Sequence, residues 1–554
     1  LARKTFMAVC NRTRLDLKYM PGQVLGPTEF RISQEFDTPG SHTAGIQEAI
    51  DDLPITGGTV IIPNRTQEVD YYINVNKDNV TLLGGGDGSV IKLANGRHST
   101  LTNQATLGQA DLIVADGSQF RAGDWICIRD MAPGASSNEW RLVASVDGNT
   151  ITVTVNLTYN HPANTQVWTC HPILMTDTGV TGFQMLNLCV EGNRANQMEG
   201  VLGDIFDAAA GNRNSNPAYI SVETWGVLIL KDTSDVVIEN VKINEMPAHG
   251  IFIYGLSQNT TEIIIRNCRI TDVADKGIVA LQVVGTTPVH IQIANNYIYE
   301  CGVGVRHVPA PAVNYGDSIN FHTPTGTHIT IRGNILHQYR RSGIAIDGTK
   351  YSIVSDNIIT AESDGLSGTA GILFENSMNC VLHNNTVRHY LTPKGGPLAI
   401  WSCTDMTVIG GSYVTLDGGA NGTYVVGIID SSGTRPSDIT FIGVLIEGNN
   451  GTITDLKTLY PLRIIDADRI KVSDCIIKSP GTGRPGLCLE NSDKCDIHGN
   501  TFYDERAPPK MTYGIALDAN SDNNQIQGNR IEGYLTAPID DNGTNNIYGH
   551  NITS

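Results

Sequence analysis

From Trp225 onward, short runs of alternating apolar residues are separated by small polar corners. WGVLILK (225–231), HGIFIYG (249–255), KGIVALQ (276–282), SGIAIDG (342–348), AGILFEN (370–376), PGLCLEN (485–491) and YGIALDA (513–519) all carry glycine at the second place, with period-2 apolar positions after it. That period predicts strands with one buried face. A second pattern lies between these runs: apolar, any, Asn/Gly/Asp, two of any, apolar. It occurs as IENVKI (238–243), IRNCRI (265–270), IANNYI (293–298), IRGNIL (331–336), VSDNII (354–359), LHNNTV (382–387), IGGSYV (409–414), FIGVLI (441–446), VSDCII (472–477), IHGNTF (497–502) and IQGNRI (526–531). The step between these eleven copies is 23 to 32 residues, apart from one of 38 between Asn295 and Gly333.

Each repeat therefore holds at least two short strands. No helical pattern of about ten residues lies between them, which excludes parallel sheets built with crossover helices. Strands of successive repeats then pair only if the chain coils and each turn stacks on the last, as in a β-solenoid. Asn and Gly at the third place fit corners with left-handed backbone, and Asn can also stack in ladders.

The first hundred residues supply a beginning for such a coil. GIQEAIDDLP (45–54) reads as a short amphipathic helix with Ile46, Ala49, Ile50 and Leu53 on one face, able to cover the open first turn. GGTVIIP (57–63), YYINVNKDNVTLLGGG (71–86) and SVIKL (89–93) follow as strands. The glycines at 84, 86 and 88 do not form a dinucleotide-binding loop, because Ser89 replaces the third glycine of that motif and a strand, not a helix, follows. Residues 110–170 break the repeat and read as a small inserted β unit with a hairpin turn at Asp147-Gly148. The expected organisation is a cap and first turns over 1–109, the insert over 110–170 and the main coil over 171–554.

AIDDLP…GGTVIIP…INVNKDNVTLLGGGDGSVIKL resembles the opening of the pectate-lyase-like superfamily. The resemblance implies an all-β, right-handed, single-stranded parallel β-helix with an N-terminal capping helix. It also implies activity on polysaccharide, since the group holds lyases, polygalacturonase-type hydrolases, alginate epimerases and phage tailspike depolymerases. Those proteins usually have Pro-x-Gly-x-Tyr after the first strand. Here Pro63-Asn64-Arg65-Thr66 stands instead, with Tyr71 and Tyr72 later, so an insertion is expected there. The resemblance further implies a secreted or virion-borne protein. It leaves monomer and homotrimer open, and it leaves Ca²⁺ open, although no acidic loop motif demands the ion and no other cofactor is implied.

Composition narrows the partners. Net charge is −18, against nucleic acid and against an anionic membrane surface. No apolar run approaches the roughly 18 residues of a membrane-spanning helix. Eleven cysteines occur without a C-x-x-C pair, and Cys189, Cys268, Cys380 and Cys488 fall at apolar strand positions, as buried free thiols do. No metal-ligand motif is read. Residues 241–350 reverse the overall balance, with nine Lys and Arg against seven Asp and Glu and six of the fourteen His. An anionic polysaccharide suits that stretch.

Stacking the glycine-led strands places equivalent residues one strand spacing apart, about 4.8 Å. With Ile251, Ile253, Ile344, Ile346, Ile372 and Phe374 inward, and Ile319 and Phe321 inward in DSINFHT (317–323), an outward column at the strand end reads Tyr254, Leu281, His322, Asp347, Glu375. Asp430, Glu490 and Asp518 extend it. Asp347 and Glu375 on adjacent turns should lie about 5 Å apart, and residues two turns apart about 10 Å. The carboxyls of retaining glycosidases are roughly 5–5.5 Å apart and those of inverting ones roughly 6.5–9.5 Å. Repulsion between close carboxylates raises the pKa of one and makes it a proton donor. His322 can tune the pair. The long step inserts a loop carrying Arg306, His307, Tyr315 and Asp317, and loops on rigid scaffolds collect functional groups. Asp347, Glu375, His322 and Asp317 are the catalytic candidates. Tyr254, His249, Lys276, Arg306, His307, Tyr315, Arg340 and Arg341 are the substrate-binding candidates, with the Arg340-Arg341 pair suited to a carboxylate or sulfate.

Three readings compete. Glycosidic cleavage by the Asp/Glu pair leads. A uronate lyase or C5-epimerase would use a Lys, His or Tyr base and positive groups, which His249, Tyr254, Lys276, Tyr315, His322 and Arg341 can supply. YGDSINFH (315–322) resembles the Tyr-Gly-x-Asp-x-His segment of epimerases only loosely. The third reading is a non-catalytic glycan-binding fibre protein.

Overall fold

The computed structural model describes residues 29–129, 139–197, 228–231, 233–254, 262–281, 290–302, 316–322, 328–339, 341–361, 370–389, 396–415, 424–448, 459–478, 480, 482–506 and 508–554. The chain divides into two compact units, the first ending at Gly250 and the second running from Ile251 to Ser554.

In the first unit the helix Ile46–Asp51 buries Ile46, Ala49 and Ile50, and Leu53 just beyond it is buried too. A further short helix, Ser33–Phe36, precedes it. The strands Gly58–Ile62, Val80–Gly84, Gln184–Leu186 and Val236–Glu239 then pair in parallel, each one turn above the last. Thr66–Val69 is a strand paired with Val90–Leu93, so the stretch expected to be an insertion is a regular part of the first turn. The glycine cluster is a corner. Gly84 ends its strand where a Cβ would lie 2.4 Å from the Asn187 carbonyl oxygen of the turn above, an approach only glycine permits.

Six strands between His98 and Thr169 form a separate antiparallel sheet with its own core of Leu101, Leu112, Ile126, Ile128, Val143, Ile151 and Val167. The sheet takes in His98–Thr100, ahead of the 110–170 span read from the sequence. Its hairpin closes on the pair Asp147 and Thr150, so the loop residues are Gly148 and Asn149, one place later than expected. The coil continues across this excursion: Leu174–Thr176 pairs directly with Ile73–Val75, and Cys189–Glu191 with Val90–Leu93.

In the second unit every turn contributes one strand to each of three parallel sheets, and each sheet holds eleven strands among the described residues. The third sheet carries the glycine-led runs: Ile251–Tyr254, Ile278–Leu281, Ile319–His322, Ser342–Asp347, Ala370–Glu375, Leu398–Trp401, Tyr424–Ile429, Tyr460–Ile465, Leu487–Glu490, Met511–Leu517 and Tyr534–Asp541. Inward positions such as Ile253, Phe321, Ile346, Phe374 and Ile400 are fully buried. The corner pattern between the first two sheets has a strict backbone basis. Asn240, Asn267, Asn295, Gly333, Asp356, Asn384, Gly443, Asp474, Gly499 and Gly528 all have φ between 51° and 67°. The IGGSYV copy is displaced by one residue: Leu382 pairs with Val408, so the equivalent corner is Gly410, at φ 59°.

The next residue of the corner points inward. Asn296, Asn334, Asn357 and Asn385 form a buried ladder in which each Nδ2 donates to a main-chain carbonyl of the turn before it, while the first three also donate to the Oδ1 of the next rung at 3.0 Å. Asparagine serves here because one side chain supplies both the donor and the acceptor that a buried corner lacks. Of the ten cysteines described, none is in a disulfide; Cys189, Cys268 and Cys380 are buried, whereas Cys488 is partly exposed because it points outward.

A buried pair in the same unit sets an acid limit. The Tyr339 hydroxyl and His389 Nδ1 share a hydrogen bond of 2.8 Å, the rings lie parallel, and burial pushes the imidazole down to about 3. Below its unfolded value of 6.5 the unfolded chain takes up a proton that the folded imidazole refuses until about 3. Stability from this site is therefore full above 6.5 and falls as pH drops toward 3. Between pH 7 and 4.5, the loss of unfolding free energy is expected to be smaller by about 2–3 kcal/mol in His389→Gln than in the parent, at 1.36 kcal/mol per unit. Urea denaturation at the two pH values measures it, and equal losses would contradict the assignment.

Candidate functional site

The third sheet's outward positions alternate with the core positions, and register fixes their columns. Tyr254 pairs with Leu281, Leu281 with His322, His322 with Asp347, Asp347 with Glu375, and Glu375 with Trp401. The sequence-derived column thus exists as a physical row. Its continuation differs in one place: Trp401 pairs with Ile429, and Ile465 with Glu490, so Asp430 stands one residue beyond the row. Glu490 stays in it, and Asp518 follows the Leu517 that pairs with Leu489.

Asp347 and Glu375 are both partly exposed. Asn376 Nδ2 donates to Asp347 Oδ1 at 3.2 Å, and Ser431 Oγ to Glu375 Oε1 at 3.5 Å. Neutral side-chain donors thus reach both carboxylates. Tyr254 and His322 are described by their backbone alone. Arg306, His307, Tyr315 and Arg340 lie outside the described residues. His249 is buried and belongs to the first unit.

The remaining candidates gather at the other end of the same strands. Asp317 is fully buried; Asn320 Nδ2 donates to its Oδ2 at 2.7 Å, and Arg341 Nη1 lies 3.6 Å from the same oxygen. Backbone bonds stack the segment, with Gly277 N–H on the Asp317 carbonyl and Arg341 N–H on the Gly316 carbonyl. Lys276 Nζ lies 3.4 Å from Asp275 Oδ2, and both residues are buried. Burial pushes the Asp275 carboxyl up to about 6; Lys276 opposes that shift, and the charge on Asp317 reinforces it. Two acids and two bases thus sit together on successive turns.

Sequence reasoning picked out Lys276, Asp317 and Arg341 but missed Asp275, whose neighbour Lys276 gives it the look of a solvated corner. It missed Asn320, inside a strand already aligned. It also missed Trp401, although PLAIW (397–401) follows the same alternation and ends where Glu375 ends one turn earlier.

Further along the face, Trp401 Nε1 donates to the Tyr424 hydroxyl at 3.0 Å. Arg463 makes a two-point ion pair with Glu490 at 2.8 and 2.9 Å. The Tyr460 ring lies 5.0 Å from the guanidinium carbons of both Arg463 and Arg484. No group of three or more His, Cys, Asp or Glu side chains able to hold a metal ion occurs among the described residues. No helix among them is long and apolar enough to cross a membrane.

A family model described as right handed beta helix region matches residues 225–311 and 436–553, and one described as periplasmic copper-binding protein (NosD) matches residues 311–415. The chain is a right-handed parallel β-helix. The N-terminal fragment of bacteriophage phi29 gene product 12 shares the fold of this β-helix at a TM-score of 0.54 and 14% identity, over 97% of this chain and 74% of that one. The A-module of the Azotobacter vinelandii mannuronan C-5 epimerase AlgE6 aligns at a TM-score of 0.43 and 15% identity, over 94% of this chain and 99% of that one. The tailspike protein gp49 of Pseudomonas phage LKA1 aligns at 0.35 and 12%, over 90% and 74%. No curated protein matches the β-helix in sequence.

Proposed function

We propose that this β-helix is a polysaccharide-degrading enzyme, acting outside the cell or on a virion. The glycan lies along the outer face of the third sheet, and Asp347 and Glu375 cleave a glycosidic bond. The observation that carries this reading is the direct pairing of the two carboxylate-bearing residues on adjacent turns of an outward row. Adjacent strands lie about 4.8 Å apart, which suits the roughly 5–5.5 Å carboxyl separation of retaining glycosidases. In that geometry one carboxyl gives its proton to the glycosidic oxygen while the other attacks the anomeric carbon. Water then releases the sugar with its original configuration.

A second reading is favoured by the group that buried Asp275, Lys276 and Asp317 form with the partly exposed Arg341. A carboxyl pushed up to about 6 beside two cations suits proton abstraction next to a sugar carboxylate, as in a uronate lyase or epimerase.

The test is incubation with dextran, alginate, polygalacturonate and hyaluronan. Hydrolysis is expected to yield new reducing ends with retained anomeric configuration by NMR and no ultraviolet absorbance of unsaturated products. A rise in that absorbance, or a change in uronate composition without cleavage, would replace the first reading by the second. Binding without any product would leave a glycan-binding fibre protein.

A further inference from the structure

We propose that Trp401 is the stacking floor of a sugar subsite immediately beside Glu375, and that Tyr424 holds it in position. The inference rests on the polysaccharide reading for its ligand class, a pyranose ring, but not on which residue performs catalysis.

Register supplies the first argument. Trp401 pairs with Glu375, so the indole and the carboxylate leave the same face at the same strand end, one strand spacing apart. A ring bound next to the cleavage point must lie over whatever residue occupies that place.

The second argument is how the indole is held. Its N–H donates to the hydroxyl of Tyr424, a residue only 4% exposed. Tyr424 lies across the outer face of its own strand. A Cβ at Gly427 would fall 2.3 Å from Tyr424 Cε2 and 2.4 Å from Cζ, so the phenol ring fills the space where a side chain at 427 would rise. Beneath and beside it are Ala345, Ala370, Leu373 and Ala399, mostly small, and all buried although three of them point outward. Small residues, a missing side chain at 427 and a buried tyrosine together give Trp401 a flat bed and a satisfied N–H.

The third argument is exposure. Tyr424 is buried, whereas the indole it orients stays partly open. An aromatic ring fixed at low entropy with one face available is a preorganised contact surface. The negative face of its π-system attracts the polarised C–H groups on the flat side of a pyranose. Ile429, next in the row, extends the apolar floor by one turn.

Binding is measured by isothermal titration calorimetry on Glu375→Gln, with dextran, alginate, polygalacturonate and hyaluronan as probes. At least one glycan is expected to bind, and Glu375→Gln/Trp401→Ala is expected to bind it at least tenfold more weakly. In the cleaving protein, Trp401→Ala is expected to raise KM at least tenfold with kcat changed less than threefold. Trp401→Tyr, which keeps a ring, restores most of the affinity. Tyr424→Phe, which still fills the space over Gly427 but cannot bind the indole N–H, raises KM by a smaller factor. A purely structural role would instead shift Tm and leave KM alone. The proposal is overturned if Trp401→Ala binds and cleaves like the parent, or if none of the four glycans binds. Affinity lost with Trp401 in a protein that cleaves nothing would leave the subsite standing while the hydrolase reading falls.

Discussion

Asp347→Asn and Glu375→Gln are each expected to lower kcat on the cleaved polysaccharide by roughly 10²–10⁴-fold, the range for removing a general acid or base. KM should change little, because Trp401 rather than either carboxylate holds the sugar ring. Both side chains are partly exposed and hydrogen-bonded to neutral Asn and Ser partners, so neither substitution empties the core. Asn and Gln preserve shape and most hydrogen-bonding capacity, which keeps Tm within a degree or two. The two variants should also differ. Added azide, a small nucleophile, rescues the residue that attacks the sugar and yields an inverted glycosyl azide. The residue that donates the proton is rescued only on substrates with good leaving groups. If both variants keep full activity, the acid-base assignment is wrong, and Asp275→Asn and Lys276→Met become the decisive variants for the second reading.

Asn334→Leu is expected to destabilise the second unit by about 3–6 kcal/mol. Asn334 is fully buried in the middle of the ladder. Its Nδ2 donates to the Ile293 carbonyl at 3.0 Å, and its Oδ1 accepts from both the main-chain N–H and the Nδ2 of Asn296, at 2.9 and 3.0 Å. Leucine has nearly the same shape but removes these bonds and strands the buried Asn296 main-chain N–H and one Nδ2 hydrogen of Asn296. Each such group costs about 1–3 kcal/mol. Asn551 provides the control: it makes similar bonds, accepting from the Asn529 N–H at 2.9 Å and donating to the Ile526 carbonyl at 3.2 Å, but it is partly exposed. Water replaces its partners, so Asn551→Leu is expected to cost only about 1 kcal/mol. Urea denaturation compares the two. Equal, small losses would show that the ladder is not what holds the corners.

The repeat made much of this protein legible from its sequence. Alternation marked the strands of the third sheet, and stacking them put His322, Asp347 and Glu375 in one row, which the register reproduces. The Asn/Gly/Asp place in the corner pattern proved to be a left-handed residue in every copy once IGGSYV was shifted by one. These properties are local. Side-chain alternation and the steric cost of positive φ act within a few residues, so composition and spacing report them directly.

Other features depended on the tertiary structure. Asp275 looks like a solvated corner residue in the sequence, but its fate depends on Asp317 and Arg341, which stacking brings beside it from later turns. Asp430 fell out of the row because one residue of offset between turns moves a side chain off its column. Trp401 became a candidate only through Tyr424 and Gly427, 23 residues and more away. Alternation tells which side of a strand a residue leaves from. It does not tell whether that side is open or covered, because the answer depends on what another turn lays across it. Ala345, Leu373 and Ala399 point outward and are buried, while Asp347, Glu375 and Trp401, two residues further along the same strands, remain within reach of solvent.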